Sequence, residues 1–150
     1  MICEDQKIYK VITVENKANF KSIPYTEGTL VLYSHGYFSP LERDFLIKLR
    51  LVLGDTQVEY YHTGDLDYGG VKIFQYIKHN IFPALKPLYM DTETYWTHER
   101  YAEPMKESKV RKLSSVKEPL LQPLIDLLCE EKRGIEQESF LVDVFSQKKV

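Results

Sequence analysis

Tyr61-His62-Thr63-Gly64-Asp65-Leu66-Asp67-Tyr68-Gly69-Gly70 passes from an apolar segment directly into two carboxylates and then a glycine pair. Residues 58–63 read as a buried strand. After the glycines, Val71, Phe74, Ile77 and Ile81 recur at helical spacing until Pro83. An earlier stretch, Val11-Ile12-Thr13-Val14-Glu15-Asn16, has the same arrangement: an apolar strand, then an acid, then a helix-like pattern. Working outward, strands are expected over 7–14, 28–34, 58–63 and 86–90. Short helices follow each of them. The first covers 17–23 and ends before Pro24. The second opens at Ser39-Pro40-Leu41-Glu42, where Ser39 is the N-cap and Glu42 closes a capping box. Leu41, Phe45, Leu46, Leu49 and Leu53 form its apolar spacing, and Gly54 stops it. Asp91 caps a fourth helix running to residue 101. Four strand–helix repeats with short loops predict an α/β fold with a mainly parallel four-stranded sheet flanked by helices.

The chain of 150 residues fits a single domain with a real core, being 43% hydrophobic and 28% charged. No apolar run approaches the roughly 20 residues of a membrane span. The start, Met1-Ile2-Cys3-Glu4-Asp5, has neither a basic n-region nor an apolar signal core. With only Cys3 and Cys129, a disulfide framework is excluded, and a reducing, cytoplasmic setting is expected. Cys129 reads as a small core residue. The net charge of −2 gives no overall basic field, so contact with nucleic acid needs a local patch, a metal ion or other domains.

The expected division is an α/β core over 1–103, a basic stretch over 104–119 and C-terminal helices over 120–147. The basic stretch carries Lys106, Lys109, Arg111, Lys112 and Lys117. It reads either as a solvated linker or as a loop lying near a phosphate backbone. A helix over 120–132 is expected to end at a C-cap, Gly134, and another to follow over 135–145.

In open α/β sheets, ligands bind at the carboxyl ends of the strands. Here those ends carry Glu15-Asn16, Ser34-His35, Asp65-Leu66-Asp67 and Asp91. Clustered carboxylates raise one another's pKa unless a cation neutralises them. Oxygen-only donors select a hard ion, Mg²⁺ or Mn²⁺, over zinc. Gly69 and Gly70 remove bulk where the next helix begins, which lets a phosphate approach its amides. Asp91 is fully explained as an N-cap. His35, before Gly36, is placed to face the site. His62 reads as a core or lateral residue, and His79 and His98 as surface positions. No zinc spacing, Ser/His/Asp signature, Walker loop or GxGxxG is present.

A glutamate ending the first strand and Asp-x-Asp ending a later one resemble the Toprim fold of topoisomerases, bacterial primases and recombination nucleases. A narrower resemblance is to the JetD family, the nuclease subunits of Wadjet plasmid-defence systems. It lies in Val14-Glu15-Asn16-x-x-x-Phe20, Gly64-Asp65-Leu66-Asp67-x-x-Gly70, Leu88-Tyr89-Met90-Asp91 and Glu136-Gln137-Glu138, in that order. The resemblance implies Mg²⁺- or Mn²⁺-dependent DNA cleavage, with Glu15, Asp65 and Asp67 as metal and acid/base residues. It also implies support from Glu136 and Glu138, which by themselves read as an exposed helix start. DNA and SMC-type Wadjet subunits are the implied partners, and a homodimer is one available assembly. Lys17, His35, Lys109, Arg111 and Lys112 are the candidate DNA contacts.

The sequence departs from the family pattern in two respects. JetD-like proteins, and the related topoisomerase VI A subunit, carry a winged-helix region ahead of this domain. Nothing here corresponds to it, so the chain is expected to be the C-terminal part of a longer protein. Thr63 also replaces the family's aromatic before Gly-Asp. Two other classes stay open: a primase-like nucleotidyl transferase, and a non-catalytic metal-binding or assembly module.

Overall fold

The computed structural model describes residues 7–140. Strand β1 (Lys10–Val14) is central, and Val11, Ile12 and Val14 are almost fully buried, as a strand covered on both faces requires. It pairs in parallel with β2 (Thr29–Tyr33) on one side and β3 (Glu59–Thr63) on the other. A short β4 (Leu85–Pro87) adds in parallel beyond β3, giving the order β2-β1-β3-β4. Val14 is in register with both Tyr33 and Thr63. Three strands therefore end level, and Glu15, Ser34 and Gly64 emerge along one edge.

Helices follow each strand as expected: α1 (Lys17–Ser22), α2 (Pro40–Leu53), α3 (Tyr68–Asn80) and α4 (Thr92–Thr97). The Ser39–Glu42 capping box forms, with Pro40 in the first turn. Asp91 caps α4 by accepting the Thr94 N–H at 2.7 Å. Phe74, Ile77, Ile81, Phe82 and Tyr60 are fully buried, and the Tyr60 and Phe82 rings stack at 4.7 Å. Each such side chain contributes about 1.5–3 kcal/mol by leaving water. Among the described residues, no helix is long and apolar enough to cross a membrane.

Several expectations are corrected. On α2 only Leu46 is buried, while Leu41 and Phe45 are exposed, because no described element covers that side. The basic stretch holds a helix, α5 (Glu107–Ser114), anchored by buried Leu113. It is preceded by a two-residue strand, β5 (Glu103–Pro104). Helix α6 (Gln122–Glu131) ends at Lys132, itself in the left-handed region at φ 56°, rather than at a glycine cap. Gly134 instead lies in β6 (Arg133–Gly134), antiparallel to β5. Its place is set by packing, since a Cβ there would sit 2.8 Å from the Leu66 carbonyl oxygen. Ile135 is bridged to Leu66, and Gln137–Ser139 form a 3₁₀ turn, so no helix spans 135–140. The remainder of that expected helix, and Cys3, lie outside the described residues. His98 is buried against Phe140, not on the surface, and its Nδ1 pairs with the Thr94 carbonyl at 3.0 Å.

Candidate metal centre

Glu15 leaves β1 and turns across the sheet edge to accept the Asp65 backbone N–H at 2.9 Å. Gly64 makes this possible: the Glu15 carboxylate occupies the space where a Gly64 Cβ would stand. His62, two residues back on the same strand, borders that space, with Nε2 3.0 Å from the position of such a Cβ. Its Nδ1 pairs with the Thr13 hydroxyl at 2.7 Å, while Nε2 is buried without a hydrogen-bond partner among the described residues. Full burial pushes the His62 pKa down to about 3, so the ring is neutral.

Asp65 and Asp67 flank Leu66, which is fully buried and exchanges two backbone hydrogen bonds with Ile135, at 2.9 and 3.0 Å. That antiparallel bridge draws Glu136-Gln137-Glu138 beside the Asp-x-Asp turn. Gln137 is the connector. Its backbone N–H donates to Asp65 Oδ1 at 2.7 Å. Its side-chain oxygen accepts the Asn16 N–H at 3.1 Å, and its side-chain nitrogen donates to the Thr63 hydroxyl at 2.9 Å. Asp67 caps α3 by accepting the Gly70 N–H at 2.8 Å. Gly70 has to be glycine, because a Cβ there would overlap the Asp65 carbonyl.

All three carboxyls are raised. Glu15 is pushed up to about 7, by burial first and then by the Asp65 charge. Asp65 is pushed up to about 6 by burial, opposed by the Gln137 N–H and helped by Asp67, Glu136 and Glu138. Asp67 is raised by burial, partly offset by the amides of Gly70 and Gly69 and by Lys109. Buried acids that repel one another form a site short of positive charge.

The donor chemistry fits a hard divalent cation. Each carboxylate has one oxygen fixed by a backbone N–H, which leaves Glu15 Oε1 and Asp65 Oδ2 without hydrogen bonds among the described residues. No ready-made cage exists: among the described residues, no three His, Cys, Asp or Glu side chains are gathered around one metal position. Mg²⁺ does not require one, since it is typically held by one or two carboxylates together with waters and substrate phosphates.

The other expected residues are dispersed. Glu136 and Glu138 are exposed and reach Asp65 through charge. His35 is exposed and pairs with Glu42 at 3.0 Å. Lys17 is exposed in the first turn of α1. Lys109 lies over the Tyr68 ring at 5.2 Å, near Asp67. Arg111 and Lys112 occupy the last turn of α5. Sequence reasoning assigned no role to Gln137 or Gly64. A glutamine between two glutamates and a glycine directly before an aspartate were the available signals.

The family described as "Wadjet protein JetD, C-terminal" matches residues 2–149. The Wadjet protein JetD of Bacillus cereus (strain Q1) is 32% identical over 139 residues, covering 89% of this chain. The chain spans 34% of that relative's length. The solved structure of a small Toprim domain protein from Bacillus stearothermophilus aligns over 89% of this chain and 96% of its own, at 20% identity and a TM-score of 0.45. The chain belongs to the family of JetD C-terminal domains.

Proposed function

We propose that this chain is the Toprim-type catalytic part of a Wadjet nuclease subunit, which cleaves DNA phosphodiester bonds with Mg²⁺ or Mn²⁺. What supports the proposal is that Glu15, Asp65 and Asp67, three partly buried acids, leave neighbouring strands along one sheet edge, with Glu15 accepting the Asp65 backbone N–H at 2.9 Å and raised by burial and by the charges of both aspartates. Glu15, Asp65 and Asp67 would hold the ion, which would supply Lewis-acid stabilisation of charge developing on the phosphate.

The chain's own groups have distinct tasks. The Gln137 and Gly70 amides hold Asp65 and Asp67 in fixed orientations, so no reorganisation is needed as charge develops. Glu15, at the exit of β1, is the acid that would take a proton from the attacking water or return one to the leaving oxygen where it does not hold the ion. The neutral His62 ring and buried Leu66 close the inner side against solvent. DNA, SMC-type Wadjet subunits and a cytoplasmic setting belong to this reading through the JetD family.

One observation favours a non-catalytic module instead: each of the three carboxylates already serves a backbone N–H. Plasmid nicking separates the two. Supercoiled plasmid incubated with the protein and Mg²⁺ or Mn²⁺ is expected to be nicked or linearised, with activity lost in Asp65→Ala and Glu15→Ala. Cleavage undiminished in both variants would overturn the assignment.

A further inference from the structure

Helix α3 begins directly after Asp67, and α5 packs beside it. Tyr68, Lys72 and Gln75 fall on one face of α3, and Lys109 and Lys112 on one face of α5. Two depressions lie between these helices. The inner one, about 370 Å³, is lined by Asp67, Tyr68, Gly69, Lys106, Lys109 and Glu136, among others. The outer one, about 500 Å³, is lined by Tyr68, Lys72, Gln75, Lys112 and Lys117, with Ser115 and Val116. Tyr68 borders both, so the two depressions adjoin, and the inner one reaches Asp67; together they make up one groove. Among the described residues, none of these five lysines has a carboxylate at ion-pair distance. In a chain of net charge −2, that gathers five ammonium groups beside the two depressions; Lys109 lies over the Tyr68 ring and Lys72 donates to the Gln75 side-chain oxygen at 3.4 Å.

We propose that this groove carries the phosphodiester backbone of one DNA strand between the carboxylates and the protein surface. The proposal rests on the DNA-cleaving reading and deepens it by assigning the strand's path. The length is suitable. From Tyr68 to Gln75 the helix rises about 10 Å, which matches roughly three nucleotides of rise along a duplex axis at about 3.4 Å each. The acids at one end repel phosphate, so the lysines leading up to them hold the backbone where the carboxylates and a cation can act on it. Lys106 and Lys109 face the phosphates nearest the site. Lys72, Lys112 and Lys117 face those farther out. Of the candidate contacts named from sequence, Lys109 and Lys112 belong to this groove, while Lys17, His35 and Arg111 line neither depression.

The test is binding of a labelled duplex of about 20 base pairs in EDTA, followed by fluorescence anisotropy from about 50 to 200 mM salt. Without divalent metal no cleavage occurs, so a failure of the nuclease reading and a failure of this one are separable. Lys72→Ala, Lys109→Ala and Lys112→Ala are each expected to lower the slope of log affinity against log salt by about 1. The triple variant should lose about 3. Lys48→Ala, on exposed α2, serves as the control, and melting midpoints confirm that each variant is folded. Unchanged slopes in the triple variant, or an equal loss in Lys48→Ala, would overturn the groove. Groove-dependent binding by a wild-type protein that never cleaves plasmid would support the groove and remove the nuclease reading.

Discussion

Glu15 accepts the Asp65 backbone N–H at 2.9 Å, its carboxylate lying where a side chain at Gly64 would have to be. One acid is thereby tied to the backbone of another across two strands. Gly64→Ala places a methyl group on that carboxylate. The backbone there is not in the left-handed region, so the cost falls on the contact and not on the turn. Losing a hydrogen bond to a charged group costs about 1.5–3 kcal/mol. Plasmid cleavage by Gly64→Ala is therefore expected to fall about 10- to 100-fold, and the melting midpoint to fall by several degrees. Wild-type cleavage in this variant would show that the Glu15 position is irrelevant to the chemistry.

Gly70→Ala is expected to act differently. The new methyl overlaps the Asp65 carbonyl, which is backbone and cannot rotate aside. The first turn of α3 must then move, carrying the Asp67 cap with it. Overpacking of this kind costs about 1–3 kcal/mol or more, or roughly 2–12 °C in melting midpoint at this chain length. Thermal unfolding followed by circular dichroism measures it. A midpoint within a degree of wild type would refute the packing argument.

The sheet was legible because its strands are apolar runs punctuated by acids and glycines, and two of the helix starts because Ser39 and Asp91 are side-chain caps. The placement of Glu15, Asp65 and Asp67 at strand exits was legible for the same reason, since strand exits are fixed by the strands. The apolar spacing over 120–132 marked α6, but residues 104–119 and 133–140 were not legible. Their helix α5 has one buried apolar residue, Leu113, so its periodicity is faint. The bridge between Leu66 and Ile135 is a single backbone pairing with no local pattern behind it. The approach of Gln137 to Asp65 follows from that bridge, and a contact between positions 72 residues apart leaves no trace in spacing.

The acids also set a pH dependence. In metal-free protein Glu15 is pushed up to about 7 and Asp65 to about 6, from ordinary values of 4.5 and 3.8. The folded state thus binds these protons more tightly than the unfolded chain. Their contribution is full below the unfolded pKa and is lost as pH rises through the folded pKa. For Glu15 the loss is on the order of 2 kcal/mol once partial exposure is discounted. Metal-free protein should therefore melt at a lower temperature near pH 8 than near pH 5. A divalent cation needs the ionised carboxylates, so the rise in midpoint on adding Mg²⁺ should be larger near pH 8. Differential scanning fluorimetry with and without Mg²⁺ decides it. An equal or larger Mg²⁺ effect near pH 5 would exclude these carboxylates as the binding groups.

The Thr63 hydroxyl accepts the Gln137 side-chain N–H at 2.9 Å. Both residues are fully buried, so this bond and the one from the Asn16 N–H hold the Gln137 side chain between the β1 and β3 exits. The Gln137 backbone then steadies Asp65. Gln137→Ala leaves a buried N–H and a buried hydroxyl unpartnered, at about 1–3 kcal/mol. It should also weaken Mg²⁺ binding, because Asp65 loses its fixed orientation. Thr63→Val removes one bond and keeps the shape, so about 1 kcal/mol is expected, with a smaller change in Mg²⁺ affinity. Since the two side chains share a bond, their effects are not independent. A double-mutant cycle by urea unfolding should give a coupling of about 0.5–1.5 kcal/mol. Strict additivity would mean that the Thr63–Gln137 bond contributes nothing, and that the Leu66–Ile135 bridge rather than the Gln137 side chain places the Gln137 N–H against Asp65.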